Sequence, residues 1–167
     1  MQAITVAIVD VDQENRMQLE QSLQEEKGRI EVLREIASNF DRMVERRLAP
    51  RTELTLVENV IARIKRLKPR VLLVNTKRLP DVTDDLLITL RKQCPETLIL
   101  LLIDNTVGER MIMKALINGA CGYLEDNVDA SSLSKAVCAV DKGEAWVPRR
   151  MLAKIMDKIL FASHIPS

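Results

Sequence analysis

The sequence predicts an α/β domain: a parallel sheet with helices packed on both faces. Three observations predict it. Five short apolar runs recur along the chain, and helical apolar stripes separate them. The third and fourth runs, Val71 to Val74 and Leu98 to Ile103, are almost unbroken Val, Leu and Ile, as strands covered on both faces are. Strands alternating with helices build right-handed crossovers, which make neighbouring strands parallel.

The first run, Ile4 to Val9, is followed by a weaker helical segment, Gln13 to Glu26, with Leu19 and Leu23 turned inward. The second run, Ile30 to Ile36, carries Glu31, Arg34 and Glu35, as an edge strand can. Val57, Val60, Ile61, Ile64 and Leu67 then follow helical spacing from a start near Thr55, and Pro69 stops that helix. After the third run, Thr83 or Asp84 is placed to cap a helix carrying Leu86, Leu87 and Leu90, which ends before Pro95. After the fourth, Met111, Ala115 and Leu116 share a helix face closed by Gly119. The short fifth run, Cys121 to Leu124, precedes a stripe of Leu133, Ala136, Val137 and Val140, with Ser131 as cap and Gly143 beyond the end. Five strands and five helices suggest the flavodoxin-like order 2-1-3-4-5.

Two segments exceed this plan. Residues 40–53 lengthen the connection after the second strand and carry Arg42, Arg46, Arg47 and Arg51. They read as a solvated short helix and loop, with recognition of an anionic partner as the alternative. Pro148 opens a further helix with an apolar stripe of Leu152, Ile155, Met156, Ile159 and Leu160. That stripe either docks on its own domain or pairs with a second copy.

Composition excludes several function classes. A net charge of +1 lacks the basic excess of a nucleic-acid-binding domain. The four aromatic residues, Phe40, Tyr123, Trp146 and Phe161, are too few for a base-stacking platform. Cys94, Cys121 and Cys138 have no metal-ligand spacing, and Cys121 and Cys138 read as small core residues. His164 is the single histidine, which removes His-based triads and metal sites and leaves a catalytic cysteine without its partner. No signal peptide or membrane span is read, so the expected location is cytoplasmic.

In a doubly wound sheet, function gathers beyond the carboxyl ends of the strands. Those ends carry Asp10-Val11-Asp12, Asn75-Thr76-Lys77-Arg78-Leu79-Pro80, Ile103-Asp104-Asn105 and Glu125-Asp126-Asn127. No Gly-rich phosphate loop follows the first strand. Asp10 and Asp126 are read as solvated loop ends, or Asp10 as paired with Lys77 or Arg78; a carboxylate pair that binds a cation is the alternative.

The stretches VAIVDVDQENR, PRVLLVNTKRLPD, PETLILLLIDN and ALINGACGYLEDNVDASSLSKAVCAVDKGEAWVP resemble a response-regulator receiver domain of the NarL/FixJ (LuxR-type) group. With the helix that follows, they cover most of residues 3–160. The resemblance implies a CheY-like fold, with residues 1–147 forming the receiver-like domain and 148–167 a C-terminal linker or dimerisation helix. In that family a carboxylate ending strand three becomes an aspartyl phosphate. An acidic pair after strand one helps hold Mg2+, a hydroxyl ends strand four and a lysine ends strand five.

This sequence departs at nearly every one of these positions, keeping only Asp10, the first of the acidic pair. Asn75 stands at the phosphoacceptor, Val11 replaces the second acid beside Asp10, Ile103 the hydroxyl and Asp126 the lysine. Asp12 comes one position late and is expected to point elsewhere. A neutral amide is a poor nucleophile. The chain is therefore expected to form no aspartyl phosphate and to use no metal or cofactor. An atypical receiver of this kind is expected to act in signal transduction or transcription regulation, through homodimerisation or a protein partner. Its predicted contact surfaces are the helices 131–142 and 148–160. Tyr123 belongs to the family's switch surface by resemblance, or is simply half-buried on the last strand. No DNA-binding module is encoded after Leu160, so direct nucleic-acid binding is not expected. The chain is either part of a longer regulator or a stand-alone adaptor. A small-ligand or cation sensor at Asp10, Asn75 and Asp126 is the other functional reading.

Overall fold

The strands are β1 (Ile4–Val9), β2 (Ile30–Leu33), β3 (Val71–Asn75), β4 (Leu98–Ile103) and β5 (Gly122–Glu125). They form one parallel sheet in the order β2-β1-β3-β4-β5, as the alternation predicts. The computed structural model describes residues 3–10, 12–25, 29–33, 52–77 and 83–163. The helices are α1 (Gln13–Gln24), α2 (Thr52–Leu67), α3 (Thr83–Gln93), α4 (Glu109–Ile117), α5 (Ala130–Asp141) and α6 (Arg149–Ser163).

The inner strands divide their side chains between two cores, because successive residues point to opposite faces. Ala7, Val9, Leu72, Val74, Leu101 and Ile103 pack against α2, α3 and α4, and Met151 of α6 joins the same core. Val6, Ile8, Leu73, Leu100, Leu102 and Leu124 pack against Leu19 and Leu23 of α1 and Leu133, Ala136, Val137 and Val140 of α5. β3 and β4 are buried on both faces, which is why their sequences show no alternation of apolar and polar residues.

Several local expectations are corrected. α2 begins at Thr52 rather than near Thr55, so Thr52 and Glu53 belong to it and not to the inserted connection. Of the second apolar run only Ile30–Leu33 is described as strand; Arg34, Glu35 and Ile36 and the arginines 42, 46, 47 and 51 lie outside the described residues. α4 turns Ile112, Met113 and Ala115 inward and leaves Met111 exposed, a rotation of its face relative to the expected Met111–Ala115–Leu116 line. α5 is capped by Asp129, which accepts a hydrogen bond from the Ser132 amide at 2.7 Å; Ser131 already lies inside the helix. Cys94 is the buried cysteine, while Cys121 and Cys138 are only half-buried.

The sheet continues past β5. Trp146 pairs with Gly122 in parallel: its amide donates to the Cys121 carbonyl at 3.1 Å, and its carbonyl accepts from the Tyr123 amide at 3.1 Å. A side chain at Gly122 would place its Cβ 2.4 Å from the Trp146 carbonyl oxygen, so glycine is required there by close approach. This pairing covers the β5 edge and delivers the chain to Pro148, whose carbonyl accepts the first helical bonds of α6.

α6 docks on the α4 side of the sheet. Met151 is 5% exposed in the core, Ile155 packs beside it, and Lys154 is ion-paired with Glu109 of α4. The expected stripe is therefore split. Ile155 faces inward, whereas Leu152, Met156, Ile159 and Leu160 remain exposed; Met151, outside the expected stripe, is the anchor.

Candidate functional site

The order reverses at β1 and β3, so their carboxyl ends open the crevice of the sheet. Their register pairs Val9 with Val74, which brings the following residues, Asp10 and Asn75, side by side. Both are buried, at 2% and 3% exposure. Burying a carboxylate is unfavourable unless donors surround it. Three do: Oδ1 of Asp10 accepts from the Asp12 amide at 2.8 Å, and Oδ2 accepts from Asn15 Nδ2 at 2.6 Å and Asn75 Nδ2 at 3.0 Å.

The orientation of the Asn75 amide follows from its two neighbours. Its Oδ1 accepts from the Lys77 backbone amide at 3.0 Å, so its NH2 group must face Asp10. Asp10 is thus neither a solvated loop end nor bonded to Lys77, as the sequence suggested; two side-chain amides are its partners. Arg78 lies outside the described residues, as does Val11. Asp12 turns away from the crevice as expected, accepting from the amides of Glu14 and Asn15 to cap α1.

At the neighbouring strand ends, Ile103 is buried and its carbonyl accepts from the Asp126 amide at 2.8 Å. Asp126 is half-buried, and no hydrogen bond joins it to Asp10. Asp104 accepts from both the hydroxyl and the amide of Thr106, and these bonds hold its carboxyl below the usual carboxylate range. Tyr123 is half-buried on β5, and desolvation raises its phenol pKa.

This donor set does not fit the Mg2+ that the resemblance implies. Mg2+ requires oxygen donors, whereas Asn15 and Asn75 aim N–H groups at Asp10, the one buried carboxylate of the crevice among the described residues. Among the described residues, no three Asp, Glu, His or Cys side chains cluster as a metal-holding group. A buried amide facing a buried carboxylate also supplies no nucleophile at Asn75. The arrangement can hold β1, β3 and the first turn of α1 together. Asn15 is the participant missed in the sequence. Its signal was an amide one turn into the helix that follows Asp10, which places it over the same crevice.

No protein-family profile and no curated protein matches the chain. Solved structures do match. The signal receiver domain of NarL from Mycobacterium tuberculosis superposes with a TM-score of 0.64 at 17% identity, covering 86% of this chain and 100% of that one. The isolated REC domain of RcsB from Salmonella enterica serovar Typhimurium, in its apo form, gives 0.66 at 16%, covering 92% and 98%. A LuxR family DNA-binding response regulator from Silicibacter pomeroyi gives 0.62 at 20%, covering 88% and 98%. The fold is that of the response-regulator receiver domains, CheY-like in topology. Among the described residues no helix is long and apolar enough to cross a membrane.

Proposed function

We propose that this chain is an atypical receiver domain that signals from the cytoplasm without aspartyl phosphorylation, by contact rather than catalysis. The observation that carries the reading is the Asn75–Asp10 hydrogen bond, 3.0 Å long and buried. An amide stands where a receiver would carry its reactive carboxylate. It bonds the neighbouring acid instead of leaving it for a metal. Val11, Ile103 and Asp126 complete the set of degenerate positions. Residues 1–147 form the receiver-like unit, and 148–167 carry the assembly element. Output passes through α5 and through the exposed apolar residues of α6, Leu152, Met156, Ile159 and Leu160, which meet a second copy or a protein partner. The chain itself does not contact nucleic acid.

Light scattering across a concentration series tests both parts. A dimer is expected, dissociated by Leu152→Asp combined with Ile159→Asp in a chain that keeps its circular dichroism, and unmoved by Mg2+ with beryllofluoride. A monomer at all concentrations overturns pairing. A mass change driven by beryllofluoride overturns phosphate independence. A small-ligand or cation sensor at Asp10, Asn75 and Asp126 is the less supported reading, because amides already satisfy the Asp10 carboxylate. A thermal shift with a divalent cation would favour it.

A further inference from the structure

A second feature lies beside the crevice. Between the carboxyl ends of β4 and β5 and the helices α3 and α4 there is a cavity of about 200 Å3. Its walls are Leu101, Ile103, Val107, Ile112, Ala115 and Tyr123, almost all apolar. Thr76, Thr83 and Tyr123 are its hydroxyl-bearing residues, and the Asp84–Lys114 ion pair, 3.1 Å long and partly exposed, stands at its edge.

Protein interiors are close-packed, and voids much larger than a water molecule are few. The cavity opens to solvent at its Asp84–Lys114 edge, so a ligand entering it displaces water from mostly apolar walls; an apolar cavity of about 150 Å3 in another protein takes up benzene. The polar groups narrow the chemistry further. The Thr76 hydroxyl donates to the Leu102 carbonyl at 3.1 Å, so its oxygen has only lone pairs left to offer. A ligand meeting it must bring a donor. Asp84 and Lys114 neutralise each other, so the edge selects neither cations nor anions.

We propose that this cavity is a binding site for a small, uncharged aromatic molecule of one or two fused rings carrying a single N–H or O–H donor. The donor meets the Thr76 hydroxyl, and the ring lies among Leu101, Ile103, Ile112 and Ala115. The site is distinct from the Asp10–Asn75 crevice and does not depend on how the chain assembles.

The test uses methyl NMR on the whole chain. Indole is the probe, and benzofuran, the same shape without the N–H, is the comparison. Expected are saturable shifts at the Leu101, Ile103 and Ile112 methyls, with intermolecular NOEs from the indole ring to them. Benzofuran should bind about three- to tenfold more weakly, the worth of one hydrogen bond. Thr76→Val should abolish that preference, and Ala115→Leu should fill the space and remove binding. No saturable shift up to the solubility of indole overturns the site, as do NOEs to residues elsewhere. Equal affinity for the two probes overturns the assigned ligand chemistry. If Ala115→Leu does not fold, the wild-type NOE pattern decides alone.

Discussion

Asn75 donates its side-chain amide to the Asp10 carboxylate at 3.0 Å across the β1–β3 pair, 65 residues apart in sequence. The bond is buried and completes a set of neutral donors around one charge. Hydrogen bonds to an ionised group are stronger than neutral ones. The pair therefore ties the two central strands at the point where function would be sought.

Asn75→Asp replaces that donor with a second carboxylate. Two carboxylates this close cannot both ionise without penalty. The variant should melt well below the wild type at pH 7.5, with the gap narrowing near pH 5, where one proton can be shared. Millimolar Mg2+ should raise its melting temperature and leave the wild type unchanged. Thermal denaturation at the two pH values, with and without Mg2+, measures this; an equal loss at both would count against the electrostatic account.

Met151→Ala removes an α6 side chain that is 5% exposed in the core. The loss should be about 2–4 kcal/mol in urea denaturation, as for a large-to-small core substitution. Met156→Ala, at a position 60% exposed, should change the stability of the monomer by no more than about 0.5 kcal/mol. Equal effects would mean that α6 is not anchored through Met151.

Gly122→Ala drives a methyl group against the Trp146 carbonyl, which lies 2.4 Å from the position of the added Cβ. The pairing at the β5 edge must open, at a cost of about 1–3 kcal/mol. Trp146 is the only tryptophan, so its fluorescence reports the change directly. A red shift is expected, from half-buried towards exposed.

Acid should weaken the fold through exposed carboxylates. Asp129 is held below its ordinary pKa by the amide and hydroxyl of Ser132, Asp104 by Thr106, and Glu109 by Lys154. A depressed folded-state pKa means that the stabilisation is complete above the unfolded value, about 4. It is lost as pH falls through the folded value. Denaturation midpoints between pH 6 and 3 should fall accordingly. Asp129→Asn keeps a capping oxygen but no charge to titrate, so its profile should be shallower. Added salt should weaken the Glu109–Lys154 contribution, which is solvent-screened.

Much of the fold was legible in the sequence because it rests on local periodicity. Unbroken Val/Leu/Ile runs marked β3 and β4, and the stripes of α2 and α5 fell on buried residues, apart from the half-buried Leu67 at the end of α2. Alternation of the two patterns led to the 2-1-3-4-5 order, because parallel crossovers leave few arrangements. The strand ends likewise located Asp10 and Asn75 at one crevice. Tertiary structure alone decided what those residues do. Register between β1 and β3 set Asn75 against Asp10, a contact to which no spacing in the chain points, and packing of the first turn of α1 turned the Asn15 amide onto the same carboxylate. At the other end the α6 stripe was legible, but which of its sides faces the core depended on where the Trp146–Gly122 pairing delivers the helix. Periodicity records that a face is apolar, whereas the partner of that face is a long-range contact, set only when the sheet has closed and its neighbours have packed.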